Sequence, residues 1–226
     1  TQTVATERRG AAMIEVAAVS SEAWSLVTRA DGPTGSVAEG ALAGLRARID
    51  AARADTPAAS VTGADALLDG ALAFTALEAG DAARAARLLE TLAGEVAAVA
   101  TDAPVALVAR AVRGGLVGAV GGDARAAADD LDAAALAIAR PSLVVWRDRV
   151  GLRLALDALG RGEPAAARAE VAALRQPAVV AGDPLAAQLV ERAQRDARVH
   201  LTALEEVPES SNADLAPATA LEAALD

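Results

Sequence analysis

Apolar residues recur at helical spacing along most of the chain. One stripe consists of Ala127, Leu131, Ala134 and Ile138, and a second consists of Ala167, Val171 and Leu174. Residues three or four positions apart share one face of an α-helix, so each stripe predicts a helix with one buried side. No alternation of apolar and polar residues runs long enough to predict a strand. The pattern therefore predicts an all-α chain of nine to eleven helices without a β-sheet.

Turn and capping residues divide this pattern into segments. Two or three helices are predicted within residues 1–60, one ending near Ala30 and another over 36–54. Further helices are predicted over about 63–79, 82–100, 103–121, 123–140, 143–159, 164–175 and 183–206. The predicted N-terminal caps are Asp81, Asp102, Asp123 and Ser142, with a capping-box-like start at Thr62 and Asp65.

One type of turn occurs three times. Gly80, Gly122 and Gly162 each separate two predicted helices, and they are 42 and 40 residues apart. Each glycine has a small residue seven positions before it and a large apolar residue nine positions after it. These flanking pairs are Ala73 and Leu89, Gly115 and Leu131, and Ala155 and Val171. Repetition at such a period predicts stacked helical hairpins.

The first hairpin resembles a tetratricopeptide repeat. Leu72-Ala73 resembles the Leu-Gly pair of that family, Gly80-Asp81 its turn, and Ala85 the alanine of its second helix. Ala76 stands where the family has tyrosine, and the spacing is longer than the usual repeat of about 34 residues. The resemblance extends over residues 62–175. It implies an antiparallel hairpin array, an α-solenoid, whose first helices line a groove that binds a peptide.

The resemblance also implies where a partner binds. The carboxylate-binding version of the family carries two basic residues four apart in its third repeat, and Arg149 and Arg153 match that pair. Arg110 and Arg113 lie on the first helix of the second hairpin, and Trp146 precedes the matching pair. These five residues form a candidate groove for an acidic peptide or a phosphate, because arginine binds both anions with two parallel hydrogen bonds.

Each of these side chains also has a structural interpretation. Arg153 is four residues before Asp157 and can form an ion pair with it along the helix surface. Trp146 is either an exposed binding residue or the largest side chain of a core. Gly114, Gly118 and Gly122 recur every four residues, which predicts a smooth helix face for close packing inside the protein.

A group of acidic residues and a single histidine complete the set of candidates. Asp129, Asp130 and Asp132 predict a solvated acidic face rather than a metal site, with Arg125 pairing with Asp129. His200 borders an apolar stripe and predicts a half-buried packing position. Neither the acidic residues nor the histidine predicts a metal-binding or catalytic site.

Composition narrows the possible functions. The chain has 226 residues, a net charge of −10, three aromatic residues, no cysteine and one histidine. Disulfides, thiol chemistry and sites with several histidines are excluded, so we expect no enzyme, no metal and no cofactor. The negative charge and scarce aromatic residues oppose nucleic-acid binding. All 21 basic residues are arginine, which is typical of GC-rich bacterial genomes.

The expected organisation has three parts. Residues 1–60 form N-terminal helices that pack on the repeats, residues 61–207 form the hairpins and a capping helix, and residues 208–226 form a flexible or short helical tail. No segment predicts a membrane span, and we expect a cytoplasmic protein. The expected function is a non-catalytic protein-interaction or scaffold module, and the chain can also form oligomers. Two alternatives are a regulatory or sensory domain of a larger bacterial protein and a structural subunit of an assembly.

Overall fold

The computed structural model of the chain describes residues 2–97, 100 and 103–175. Its regular structure is helical throughout, and no strand occurs in those ranges. The α-helices are α1 (Gln2–Thr28), α2 (Gly35–Ala52), α3 (Ala58–Glu78), α4 (Ala82–Ala97), α5 (Pro104–Val120), α6 (Ala124–Ala135), α7 (Pro141–Gly160) and α8 (Pro164–Ala172). A short 3-10 helix, Arg53–Asp55, follows α2. The prediction of an all-α chain is confirmed for this part of the sequence.

Glycines end α3 and α7 with the same geometry. Gly80 has a φ of 84°, and its N–H donates to the carbonyl of Leu77 at 3.0 Å. The N–H of Asp81 donates to the carbonyl of Ala76 at 2.9 Å, which completes the pair of bonds that closes a helix end. Gly162 has a φ of 74° and repeats both bonds after α7. The predicted left-handed position of Gly80 is confirmed.

Two of the predicted aspartate caps are confirmed. Asp81 Oδ1 accepts the backbone N–H of Arg84 at 2.9 Å at the start of α4. Asp123 Oδ1 accepts the N–H groups of Arg125 and Ala126, both at 3.0 Å, at the start of α6. Each carboxylate satisfies donors that the first helical turn leaves without a partner. Asp102 lies outside the described residues.

The predicted start of α3 is wrong. The helix begins at Ala58, directly after Pro57, and Thr62 lies inside it with its hydroxyl donating to the Ala58 carbonyl at 3.0 Å. Val61 is buried, whereas Ala58, Ala59 and Ser60 before it are exposed, so α3 reaches the core at its fourth residue. Burial of Val61 favours helical structure ahead of the capping signal at Thr62.

The segment between α6 and α7 also differs from prediction. Helix α6 ends at Ala135 rather than near residue 140, and Ser142 does not cap α7, which begins one residue earlier. The hydroxyl of Ser142 donates to Glu78 at 2.7 Å, and the N–H of Ala139 donates to the carbonyl of Thr28 at 2.9 Å. Leaving the helix early lets this segment bond to the ends of α1 and α3.

The chain divides into two compact units. The first consists of Thr1–Leu116 and Asp130–Leu143, and the second consists of Val117–Asp129 and Val144–Asp226. In the first unit, α3 packs against α1, α2 and α4 and is buried along most of its length, including Phe74. At Gly70 a Cβ atom would lie 3.3 Å from Val108 of α5, so α5 approaches α3 closely.

In the second unit, α7 packs against the last turns of α5 and against α8. Leu152 contacts Leu174, and three fully buried alanines, Ala155, Ala158 and Ala167, pack with Leu159 and Val171. A Cβ atom on Gly118 would lie 3.3 Å from the Cβ of Arg149. The predicted internal role of the glycine face is therefore confirmed at Gly118.

Some predictions fall beyond the part of the chain that the structure describes. They are the helix over 183–206, the tail over 208–226 and the position of His200. Among the described helices, none combines the length and the apolar character that crossing a membrane requires.

Candidate partner-binding surface

Arg110 and Arg113, the α5 arginine pair, converge on Asp130 within the first unit. Arg113 Nε donates to Asp130 Oδ2 at 2.6 Å, and its Nη2 donates to Oδ1 at 2.9 Å. Arg110 Nε lies 3.5 Å from the same Oδ1. The two parallel bonds from Arg113 are the preferred geometry between a guanidinium and a carboxylate. The α5 arginine pair therefore already interacts with a carboxylate of the protein itself, that of Asp130.

Asp130 corrects the prediction of a solvated acidic face. Its residue surface is only 8% exposed, whereas Asp129 and Asp132 are exposed as predicted. The hydrogen bonds that Arg113 donates to the Asp130 carboxylate raise the pKa of Arg113. A sequence signal for this burial existed, because Asp130 is three residues after Ala127 and four before Ala134, on the apolar stripe.

The predicted pairing of Arg125 is also wrong. Arg125 does not pair with Asp129 on its own helix. Its Nη1 lies 3.9 Å from Glu170 Oε1 of α8, at the outer limit for an ion pair. Within the described ranges, no group of three or more histidine, aspartate or glutamate side chains could hold a metal ion.

Trp146 lies in the core of the second unit. Only 3% of its surface is exposed, and it projects from the first turns of α7. Of the two interpretations of Trp146, the core side chain is therefore the correct one. A tryptophan without accessible surface contributes to packing but not to the contact area of a groove.

Arg149 and Arg153, the α7 arginine pair, lie one turn apart and face the last turn of α5. Arg149 packs at Gly118, as described above. At Gly121, which has a φ of 107°, a Cβ atom would lie 2.9 Å from Arg153 Nη1. The guanidinium of Arg153 thus rests on a backbone without a side chain.

The α7 arginine pair is partly removed from solvent. Burial lowers the pKa of Arg149, although a guanidinium stays charged in proteins. The Nε atoms of both side chains are shielded from solvent, and Arg153 forms no hydrogen bond or ion pair with any residue that the structure describes. The predicted ion pair between Arg153 and Asp157 is absent, and Asp157 lies near Arg161 instead.

Comparisons of this chain with models of protein families, with characterised proteins and with solved structures find no match. The resemblance to tetratricopeptide repeats therefore rests on the sequence pattern quoted above. What the surface can bind follows from the chemistry of its own side chains.

Sequence reasoning missed the most buried charges among the residues that the structure describes. Arg140, 3% exposed, donates from Nε to Glu78 Oε1 at 3.0 Å and from Nη2 to Glu78 Oε2. Its Nη1 and Nη2 also donate to the carbonyls of Arg29 and Pro33, at 3.4 and 3.3 Å. Because Arg140 precedes a proline in a short connection, its sequence position predicts an exposed side chain and carries no signal of burial.

Asp148 is a second buried charge that the sequence did not indicate. It is 2% exposed on α7, and both carboxylate oxygens accept the backbone N–H of Arg175 at 3.1 Å. The carboxylate thereby fixes the turn that follows α8.

Proposed function

We propose that the chain is a non-catalytic protein-interaction module that binds an acidic segment of a partner through Arg149 and Arg153. The observation that carries this proposal is the guanidinium of Arg153, which is half-buried and has no carboxylate among the described residues. A guanidinium forms its strongest hydrogen bonds with an anion that accepts two of them in parallel. A glutamate or aspartate side chain of a partner supplies that geometry.

The other arginines support this choice by contrast. Guanidinium groups that already form an ion pair with a described carboxylate are those of Arg29, Arg46, Arg48, Arg53, Arg84, Arg110, Arg113, Arg125, Arg140 and Arg161. The α5 arginine pair shares Asp130, and Trp146 is buried. Of the five residues predicted for the groove, Arg153 is therefore the one whose guanidinium has no carboxylate among the described residues.

The hairpin array belongs to the same proposal. The shared geometry of the turns at Gly80 and Gly162, together with the packing of α3 on α4, supports tetratricopeptide-like units. In such an array the first helix of a hairpin faces the partner, and α7 is a first helix. The arrangement of successive hairpins into an α-solenoid remains part of this proposal.

The test is binding of a short fluorescein-labelled peptide rich in glutamate and aspartate, followed by fluorescence anisotropy. We expect Arg153→Gln to weaken binding at least about tenfold, because hydrogen bonds between charged groups contribute roughly 1.5–3 kcal/mol. Arg113→Gln is the matched control, since its guanidinium already binds Asp130, and we expect it to bind the peptide as the unaltered chain does.

Salt and a neutral probe complete the design. Binding should weaken as salt is added, and a peptide with glutamine and asparagine in place of the acidic residues should not bind. Equal affinity of the unaltered chain and Arg153→Gln for the acidic peptide would contradict the proposal. So would a loss of binding in Arg113→Gln alone.

A second candidate function, a structural subunit, has its own observation. Residues 3–11 of α1 are all exposed, and the N-terminal half of this helix carries the exposed apolar side chains Val4, Met13 and Ile14. Burial on α1 begins only at Val16. A subunit interface here predicts that the chain self-associates in sedimentation equilibrium and that Ile14→Glu abolishes the association. A monomer at all concentrations would exclude self-assembly through this helix.

A further inference from the structure

The helical pair formed by α1 and α2 has an uncharged outer side. These two helices pack on each other and both pack on α3, so their sides that face away from α3 lie on one surface of the first unit. Six residues over 10–21 of α1 and seven residues over 36–47 of α2 are exposed, and none of these thirteen is charged. Together they form the neutral face.

The charged residues of the same two segments are already paired within the first unit. They are half-buried, and each forms an ion pair with a neighbouring helix. These residues are Glu15, Glu39 and Arg46, and their respective partners are Arg48, Arg84 and Asp65. The fold therefore neutralises the charges that border the neutral face.

Other helices in the described ranges carry charge on their exposed sides. Helix α4 exposes Arg87 and Glu90, and helix α6 exposes Asp129 and Asp132. A surface helix normally places charged residues opposite its buried stripe, whereas a helix without them is normally buried. Helix α2 has a buried stripe and an outer side of alanine, glycine, serine and valine, including Val37, which is 69% exposed. This pattern is typical of a helix that is covered on both sides.

Two glycines of α2 favour the close approach of another helix. Gly40 and Gly44 lie one turn apart on the neutral face, and a Cβ atom on either would meet no atom within 4 Å. Glycine is less favourable than alanine inside a helix, but it lets another backbone approach closely. Gly63 of α3 has the same open surroundings but no second glycine one turn away, so it serves as a control below.

We infer that the neutral face is the contact between two copies of this chain. The inference rests on the second candidate function, the structural subunit, and extends its interface from the N-terminal half of α1 to α2. The chain has a net charge of −10, so its copies repel each other. An uncharged face lets two copies meet without placing like charges opposite each other.

The two large apolar side chains of the neutral face are suited to a two-fold contact. Val37 lies next to the connection between α1 and α2, whereas Ile14 precedes Glu15, which binds Arg48 in the second half of α2. Ile14 and Val37 therefore lie near opposite ends of the helical pair. A two-fold axis can place each of them over alanines and glycines of the other copy.

The size of the neutral face fits a weak dimer. Its thirteen exposed residues are about half of the 20–30 residues a side that form a standard interface. In the same proportion, two copies bury roughly 900 Å² in total, which is in the range of weak and transient interfaces. We therefore expect a dimer that dissociates in the micromolar range.

Sedimentation equilibrium of the full chain, from micromolar to submillimolar concentration, tests the inference. We expect a monomer–dimer equilibrium that Gly44→Glu weakens at least about tenfold, because it adds carboxylates of both copies to a contact without opposite charges. Gly63→Glu is the matched control, since it adds the same charge at an exposed glycine outside the neutral face. It should leave the equilibrium unchanged, and equal weakening by both substitutions overturns the inference.

The absence of cysteine allows the contact to be mapped directly. The chain contains no cysteine, so Gly44→Cys introduces its sole thiol. We expect its alkylation, followed by mass spectrometry, to slow as the protein concentration rises through the dimerisation range. The thiol of Gly63→Cys should react at the same rate throughout. A dimer in which Gly44→Cys also reacts at an unchanged rate overturns the neutral face as the contact.

These outcomes also separate the inference from the candidate function on which it rests. If Ile14→Glu abolishes association while Gly44→Glu does not weaken it, the structural subunit stands and the neutral face fails. A monomer at every concentration overturns both. Binding of the acidic peptide through Arg153 is independent of this contact and is decided by the anisotropy measurement.

Discussion

The α5 and α7 arginine pairs have nearly the same spacing but face different neighbours. Arg110 and Arg113 face α6, where Asp130 lies on the buried stripe and accepts two bonds from Arg113. Arg149 and Arg153 face the end of α5, where glycines leave only backbone. The spacing of basic residues alone therefore does not mark a recognition site. For Arg113 and Arg153, the residue on the opposing helix decides whether the guanidinium binds a carboxylate of the described fold.

The largest expected loss of stability concerns Arg140, whose guanidinium is buried in an ion pair with Glu78. Arg140→Met leaves the Glu78 carboxylate buried without its partner, and we expect a loss of about 3–5 kcal/mol of unfolding free energy. Urea unfolding followed by far-UV circular dichroism measures it. Adding Glu78→Leu should restore part of the loss, because the unpaired charge is removed. A double variant as unstable as the single one would show that the cost is not electrostatic.

The next effect compares the two pairs directly. Arg113→Gln removes a bidentate bond to the buried Asp130, and we expect about 1–3 kcal/mol of destabilisation in the same urea experiment. Arg153→Gln breaks no bond to a described residue and should leave stability unchanged or slightly higher. If Arg153→Gln proved the more destabilising of the two, the assignment of paired and available arginines would be reversed.

A smaller loss of stability is expected at Gly121, whose backbone lies next to the Arg153 guanidinium. Gly121→Ala should cost about 1–2 kcal/mol, because a φ of 107° is unfavourable for a residue with a Cβ atom. The guanidinium at 2.9 Å can move aside, so the backbone provides most of this cost. Gly63→Ala is the matched control, since it lies in α3 with open space around it and should gain about 0.5–1 kcal/mol. A neutral Gly121→Ala would argue against this turn geometry.

The smallest effect belongs to an exposed ion pair. The hydrogen bond from Arg161 lowers the pKa of Glu163, so this pair stabilises the fold above the unfolded pKa of about 4.3. The contribution is lost as pH falls through the lower folded value. NMR titration of the Glu163 carboxyl should give a midpoint below that of the same group in Arg161→Gln. Identical midpoints would show that the two side chains do not interact in solution.

Local signals in the sequence predicted much of the helical framework. Gly80 and the caps Asp81 and Asp123 were predictable because each acts on backbone groups within a few residues. The start of α3 was not, because burial of Val61 extends the helix ahead of its capping signal. Local chemistry thus located turns better than it located the limits of the core.

The candidate site was predictable only in part. The residue types of Arg149 and Arg153 could be read from the sequence, but the backbone of Gly118 and Gly121 opposite them could not, since it depends on which helix packs there. Arg140 and Glu78 are 62 residues apart, and no short-range pattern connects them. Asp130 was the exception, because its place on an apolar stripe already indicated burial.

The most direct test follows the arginine Nε–H signals by NMR during titration with the acidic peptide. We predict that the Arg153 signal shifts and saturates with the binding curve while the Arg113 signal stays in place. A shift of Arg113 without a shift of Arg153 would contradict the account, and so would peptide binding that moves neither signal.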